Sequence, residues 1–382
     1  MKDITLLCKV VDNYGDIGFV YRLAKNMSLL DPDLHLRLIV SNLESFSKLA
    51  PEIDKDKPFQ IFNGWEIYDW NNDEVCYKAF RENEPVLILE TFQCGRPDWL
   101  DKLLFDDGVK EIVQILNIEY LTAEEYADNF HCLQSLTRSA RVKKKFFMPG
   151  FTGKTGGLVL DEPFVSQWKK RQSEQTENIE TFPFGKKQFN ILMFSYEKEF
   201  TPIVNAIKEF EDFIKETVPE FKVKVHVARG IGNQSFIECW EKCGSPFEME
   251  KLGFLRQEDW DKMFFDMDFL FIRGEDSMAR ACLTGIPFVW NAYIQDENYQ
   301  LVKVDALLQR MKPFFGNDFE KMNEFWRAYN GDEGLEGNMK ELTFNALKDT
   351  FRLKPKFSSF SDSLFKNGNL TSHLLSFICE LK

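Results

Sequence analysis

Asp12 and Asp16 share the turn Asp12-Asn13-Tyr14-Gly15-Asp16-Ile17-Gly18, directly after the apolar run 4–11 and ahead of an amphipathic pattern that continues to residue 30. Carboxylates in such a turn can take a proton or hold a cationic group, and Asp16 equally suits the N-cap of the helix that follows. A second acidic turn, Arg273-Gly274-Glu275-Asp276-Ser277, follows another apolar run in the far half of the chain. Its acids also fit the first turn of a helix, where the dipole favours negative charge. In open α/β sheets ligands bind outside the carboxyl ends of the strands. Two equivalent acidic turns therefore imply two facing domains with chemistry between them.

The elements that must position these turns alternate regularly. Strand-like runs at 4–11, 34–40, 85–90, 111–118 and 145–148 are separated by helical patterns at 18–30, 43–49, 97–105 and 122–130. A second series has strands at 189–196, 221–228, 247–252, 269–273 and 287–293, with helices at 202–216, 236–243, 257–264, 277–283 and 297–311. Such alternation predicts α/β architecture with mostly parallel, doubly wound sheets. Periodicity stops near Pro149-Gly150, so residues 1–155 are expected as an N-terminal Rossmann-like domain, 156–187 as a linker region and 188–316 as a second Rossmann-like domain. Residues 317–382 read as a helical tail able to pack across both. Gly153-Lys154-Thr155 is a flexible turn and not a phosphate-binding loop, because Met148 stands where that pattern opens with glycine.

Composition narrows the function classes. With 382 residues the chain exceeds one ordinary core, and 38 Phe and 8 Trp mark it as folded. A net charge of −13 opposes a phosphate backbone, so no nucleic-acid partner is expected, and the basic run 141–145 reads as a solvated face. Eight cysteines without a CxxC pair and four scattered histidines offer no metal-ligand spacing. No apolar stretch has the length of a membrane helix or a secretion signal, so no membrane partner and a cytoplasmic location are expected.

Two doubly wound domains facing a cleft are the GT-B glycosyltransferase architecture, and the residue strings are more specific than that analogy. The run 8–18, Asn117-Ile118-Glu119-Tyr120-Leu121-Thr122-Ala123-Glu124, and the run 146–158 in the first half resemble the arginine rhamnosyltransferases that modify bacterial translation elongation factor P. So do Phe194-Ser195-Tyr196-Glu197, Phe254-Leu255-Arg256-Gln257, Phe271 to Ser277, and Pro287 to Asp296 in the second. The resemblance covers residues 8 to about 308. It implies an inverting GT-B enzyme that moves L-rhamnose from dTDP-β-L-rhamnose to an arginine nitrogen of elongation factor P, without metal or other cofactor. The donor is expected mainly in the C-terminal domain and the acceptor protein on the N-terminal one.

Under that resemblance the catalytic set is Asp16, Asp12 and Glu275, with Asp16 as general base and Asp12 orienting the acceptor guanidinium. Tyr14, Gly15, Phe194, Tyr196, Phe254, Gln257, Arg273, Glu275, Asp276 and Ser277 are expected to bind the donor. Arg273 and the amides near Asp276 and Ser277 would meet its diphosphate. Glu275 and Asp276 would take sugar or ribose hydroxyls or orient Arg273, while Phe254, Tyr196 and Gln257 would hold the base. The chain departs from the commoner family pattern at Tyr14, where Phe is frequent, and at Asn291, where His is frequent.

Overall fold

In the computed structural model, which describes residues 3–11, 14–177 and 186–381, the chain divides into two compact units. One runs to Asp161 and resumes at Asn367; the other is Glu162–Lys366.

Unit 1 is built on β1 (Asp3–Cys8), α1 (Gly15–Leu30), β2 (His35–Val40), α2 (Leu43–Leu49), β3 (Phe59–Phe62), β4 (Trp65–Asp69) and α3 (Asp73–Glu82). It continues through β5 (Leu87–Thr91), α4 (Asp98–Asp101, extended by a π turn to Asp106), β6 (Val113–Ile118), α5 (Tyr126–Phe130), β7 (Gln134–Ser135) and β8 (Val142–Phe147). The sheet order is β3-β4-β2-β1-β5-β6-β8-β7, parallel except for β3 and β7 at its edges. Every residue of β5 and all but the first of β1 are buried, as strands covered by helices on both faces must be. Strands β3 and β4 and helix α3 lie where the sequence pattern predicts no element. Strand β3 leaves Phe59 and Ile61 in solvent, so its hydrophobicity carries no core-facing alternation.

Unit 2 begins with α6 (Glu162–Glu177), which forms where a linker is expected. Its Phe164 ring carries the buried Arg280 guanidinium, 4.6 Å from the ring centroid, and that contact docks the helix. Then follow β9 (Gln188–Met193), α7 (Thr201–Lys215), β10 (Lys222–Val227), α8 (Asn233–Lys242), β11 (Glu248–Lys251), α9 (Gln257–Phe265), β12 (Phe269–Arg273), α10 (Glu275–Thr284) and β13 (Phe288–Asn291). The sheet is wholly parallel, in the order β11-β10-β9-β12-β13.

Four larger helices follow: α11 (Tyr299–Phe315), α12 (Phe319–Tyr329), α13 (Met339–Lys348) and α14 (Thr350–Lys366). They belong to unit 2, where Trp326 and Phe357 pack on Phe288 of β13. The last helix, α15 (Leu370–Glu380), returns to unit 1 and puts Leu370, Leu374 and Ile378 into the core beside β1 and α1. The helical tail is thus two pieces with different hosts. Among the described residues no helix is long and apolar enough to cross a membrane.

Candidate active site

Strand β1 ends at Cys8 and its chain turns into α1 at Gly15, three residues earlier than the apolar periodicity indicates. The first two residues of α1, Gly15 and Asp16, add nothing to a hydrophobic pattern. Tyr14 occupies the N-cap position without a side-chain cap bond, so Asp16 lies inside the helix and is not its N-cap residue. The Asp16 side chain is buried, yet both oxygens are engaged. Oδ2 accepts the Val11 backbone N–H at 2.7 Å and Oδ1 accepts the Tyr120 hydroxyl at 3.1 Å. Asp12 falls outside the described residues. Tyr14 and Gly15 are exposed beside this turn.

The neighbouring strand ends supply the rest of the cluster. Beyond β6, Tyr120 stacks on Phe92, which follows β5, with centroids 4.2 Å apart and planes 13° from parallel. Phe92 and Gln93 both have positive φ, 58° and 48°. Gln93 donates from Nε2 to Glu119 Oε1 at 2.5 Å, and Asn117 donates to the same oxygen. Burial raises the Glu119 pKa above its ordinary value despite those hydrogen bonds. The Cys8 thiol is pushed well above its usual range, first by burial and then by the Asp16 charge, so it stays protonated and is no nucleophile.

In unit 2 the chain leaves β9 through Phe194, Ser195 and Tyr196 and leaves β12 at Arg273. The Arg273 guanidinium lies 4.5 Å from the Phe194 ring centroid and 4.9 Å from that of Tyr196. Its Nε is buried with no hydrogen-bond partner among the described residues. Gly230 closes on the same group, where a Cβ would come within 3.0 Å of an Arg273 terminal nitrogen. Gly274, with φ 75°, makes the left-handed step that lets α10 start at Glu275 immediately after the strand. Glu275 and Asp276 fill the first turn of α10, and Ser277 accepts the Trp260 indole N–H at 3.3 Å. Trp260 in turn packs edge-on against Phe194, at 5.0 Å. Phe254 is exposed on the loop entering α9, and Gln257 is the first residue of that helix.

Asn291 holds the loop after β9. Its Oδ1 accepts from Ser195 Oγ at 2.8 Å and from the Tyr196 N–H at 3.2 Å, while the Tyr329 hydroxyl donates to Ser195 Oγ at 2.8 Å. The residue that stands where His is frequent is therefore a buried support, bonded directly to the loop that carries Tyr196.

Within unit 1 the structure brings Asp16 together with Tyr120, and within unit 2 it brings Phe194, Tyr196 and Arg273 into one cluster. Tyr120, Phe92, Gln93, Glu119 and Trp260 have no role in the sequence expectations, although Glu119 and Tyr120 sit in one of the strings that carry the resemblance. Among the described residues no three His, Cys, Asp or Glu side chains are grouped to hold a metal ion.

The family model described as Elongation-Factor P (EF-P) rhamnosyltransferase EarP matches residues 4–379. A protein-arginine rhamnosyltransferase of Shewanella oneidensis is 30% identical over 343 residues, covering 83% of this chain and 84% of its own. One from Pseudomonas aeruginosa is 29% identical over 351 residues, covering 90% of each chain. A chain solved for the structural basis of EarP-mediated arginine glycosylation of translation elongation factor EF-P matches with a TM-score of 0.58 at 18% identity, over 100% of this chain and 99% of that one. A UDP-GlcNAc 2-epimerase from Neisseria meningitidis reaches 0.52 at 9% identity over 100% of both chains. At those identities the solved structures show the fold alone, which is GT-B-type α/β. With its family matched over nearly the whole length, the chain belongs to the EF-P rhamnosyltransferase family and is a protein-arginine rhamnosyltransferase.

Proposed function

We propose that the enzyme transfers L-rhamnose from dTDP-β-L-rhamnose to an arginine of translation elongation factor P, with inversion and without a divalent metal. The observation that carries this reading is the Asp16 carboxylate, buried in the first turn of α1 and held at both oxygens. A guanidinium is protonated far above neutral pH and its electrons are delocalised, so it attacks only when a carboxylate orients it and removes a proton. An arginine nitrogen attacks C1 of the sugar, and its proton passes to Asp16. The C1–O bond to the diphosphate breaks, and its electron pair leaves with dTDP. Asp12 is proposed to orient the guanidinium.

Unit 2 holds the donor in this reading. The Arg273 fork and the amides at the start of α10 match the charge of a departing diphosphate. Glu275, Asp276 and Ser277 are assigned to hydroxyl groups, Phe254 and Gln257 to the thymine. Because Tyr196 is buried and carries Arg273, its part is to fix that guanidinium.

Intact mass of elongation factor P after incubation with the enzyme and dTDP-β-L-rhamnose tests the proposal. The factor should gain one deoxyhexosyl residue, in EDTA as without it. An unmodified factor alongside an altered free sugar nucleotide would indicate an epimerase, and an intact donor would indicate a binding protein.

A further inference from the structure

We propose that Tyr120 is a positioning residue for the transfer, fixing the Asp16 carboxylate for proton removal; this rests on the reading of Asp16 as the base. Among the described residues, two donors reach that carboxylate from different directions. The Val11 amide takes Oδ2 and the Tyr120 hydroxyl takes Oδ1, at 2.7 and 3.1 Å. One bond alone would leave rotation about the Cβ–Cγ bond free. Together they set the plane in which the remaining lone pairs point.

The hydroxyl is itself held by a platform that costs backbone energy to build. The Tyr120 ring is 42% exposed, so burial does not fix it. What fixes it is the stack on Phe92, which also meets Phe19 of α1 at 5.2 Å and gives its own N–H to the Ile118 carbonyl at 2.7 Å. Phe92 and Gln93 hold φ of 58° and 48°, a region that side-chain-bearing residues enter only at a cost in backbone energy. Such strain persists only where the surroundings enforce it. Here its products are the ring beneath Tyr120 and the Gln93 amide on Glu119 Oε1, the residue next to Tyr120. Three strand ends, those of β1, β5 and β6, thus converge on the orientation of one carboxylate.

Tyr120→Phe keeps the stacked ring and deletes the hydroxyl that donates to Asp16. For the full-length enzyme acting on elongation factor P, kcat should fall about 10- to 100-fold, the scale of a misaligned catalytic group. KM for the acceptor and calorimetric dTDP affinity should be unchanged, and Tm should fall only by the loss of one hydrogen bond. Phe92→Leu, which removes the stack but keeps the phenol, should lower kcat by a smaller factor. A wild-type kcat in Tyr120→Phe would leave the ring a packing element and overturn the inference, as would a raised KM at unchanged kcat, which makes Tyr120 a docking group. Asp16→Asn measured in parallel separates the two levels. If Asp16→Asn stays active, the base reading fails and takes Tyr120 with it; if Asp16→Asn is inactive while Tyr120→Phe is normal, only the role of Tyr120 is lost.

Discussion

At the scale of single residues, Asp16 separates two roles that its sequence context leaves open. The N-cap position belongs to Tyr14, and the Asp16 carboxylate turns back to the Val11 amide and across to Tyr120. Asp16→Asn preserves an oxygen for Val11 and the side-chain size but removes proton affinity. The variant should remain folded, keep its dTDP affinity and lose at least about 10²-fold in transfer rate, measured by intact mass over time. Arg273 is the counterpart in unit 2. Arg273→Ala should weaken dTDP by about 1.5–3 kcal/mol in calorimetry, because it removes charge-assisted hydrogen bonds to the diphosphate. Unchanged affinity would take Arg273 out of the site. Both stand out as candidates in the sequence, Arg273 because it ends an apolar run and Asp16 because it sits in the acidic turn that follows one. Tyr120, Phe92 and Trp260 do not, since an aromatic in a chain with 38 Phe is by default core.

At the scale of elements, the join between β8 and α15 carries a pH dependence. His131 accepts the Met148 N–H at Nδ1, at 3.1 Å, and its ring meets Phe147 edge-on at 4.7 Å. Burial lowers the His131 pKa below 6.5, and His373 on α15 adds to the effect. The folded state holds the neutral ring, whereas the unfolded chain takes up a proton near the ordinary value. That stability is therefore present above about pH 6.5 and is lost as pH falls through the depressed folded value. Tm should fall on acidification from about pH 7 to about pH 5, and more steeply in the wild type than in His131→Gln. Parallel slopes for the two proteins would remove His131 as the source. The buried strands β1, β5 and β12 were legible as mainly apolar runs. The helix start at Gly15 was not, because Gly15 and Asp16 leave no apolar period to read.

At the scale of the whole molecule, the return of the chain into unit 1 is the main departure from a linear domain order. Leu374 is fully buried in the unit 1 core. Leu374→Ala should cost about 2–5 kcal/mol in denaturant unfolding, while dTDP affinity, a property assigned to unit 2, stays unchanged. Weakened dTDP binding would show that α15 supports unit 2 instead. By itself the sequence determined the α/β class, the two parallel-sheet series and the acidic turns at their strand ends, because buried strands and polar turns are local patterns written within about ten residues. Only the tertiary structure decided that α6 belongs to unit 2 and α15 to unit 1, and that Tyr120, Phe92 and Asp16 meet. Those outcomes depend on which buried faces find each other across more than 100 residues of chain, as between Asp16 and Tyr120 (separated by 104), and no local period records such a match.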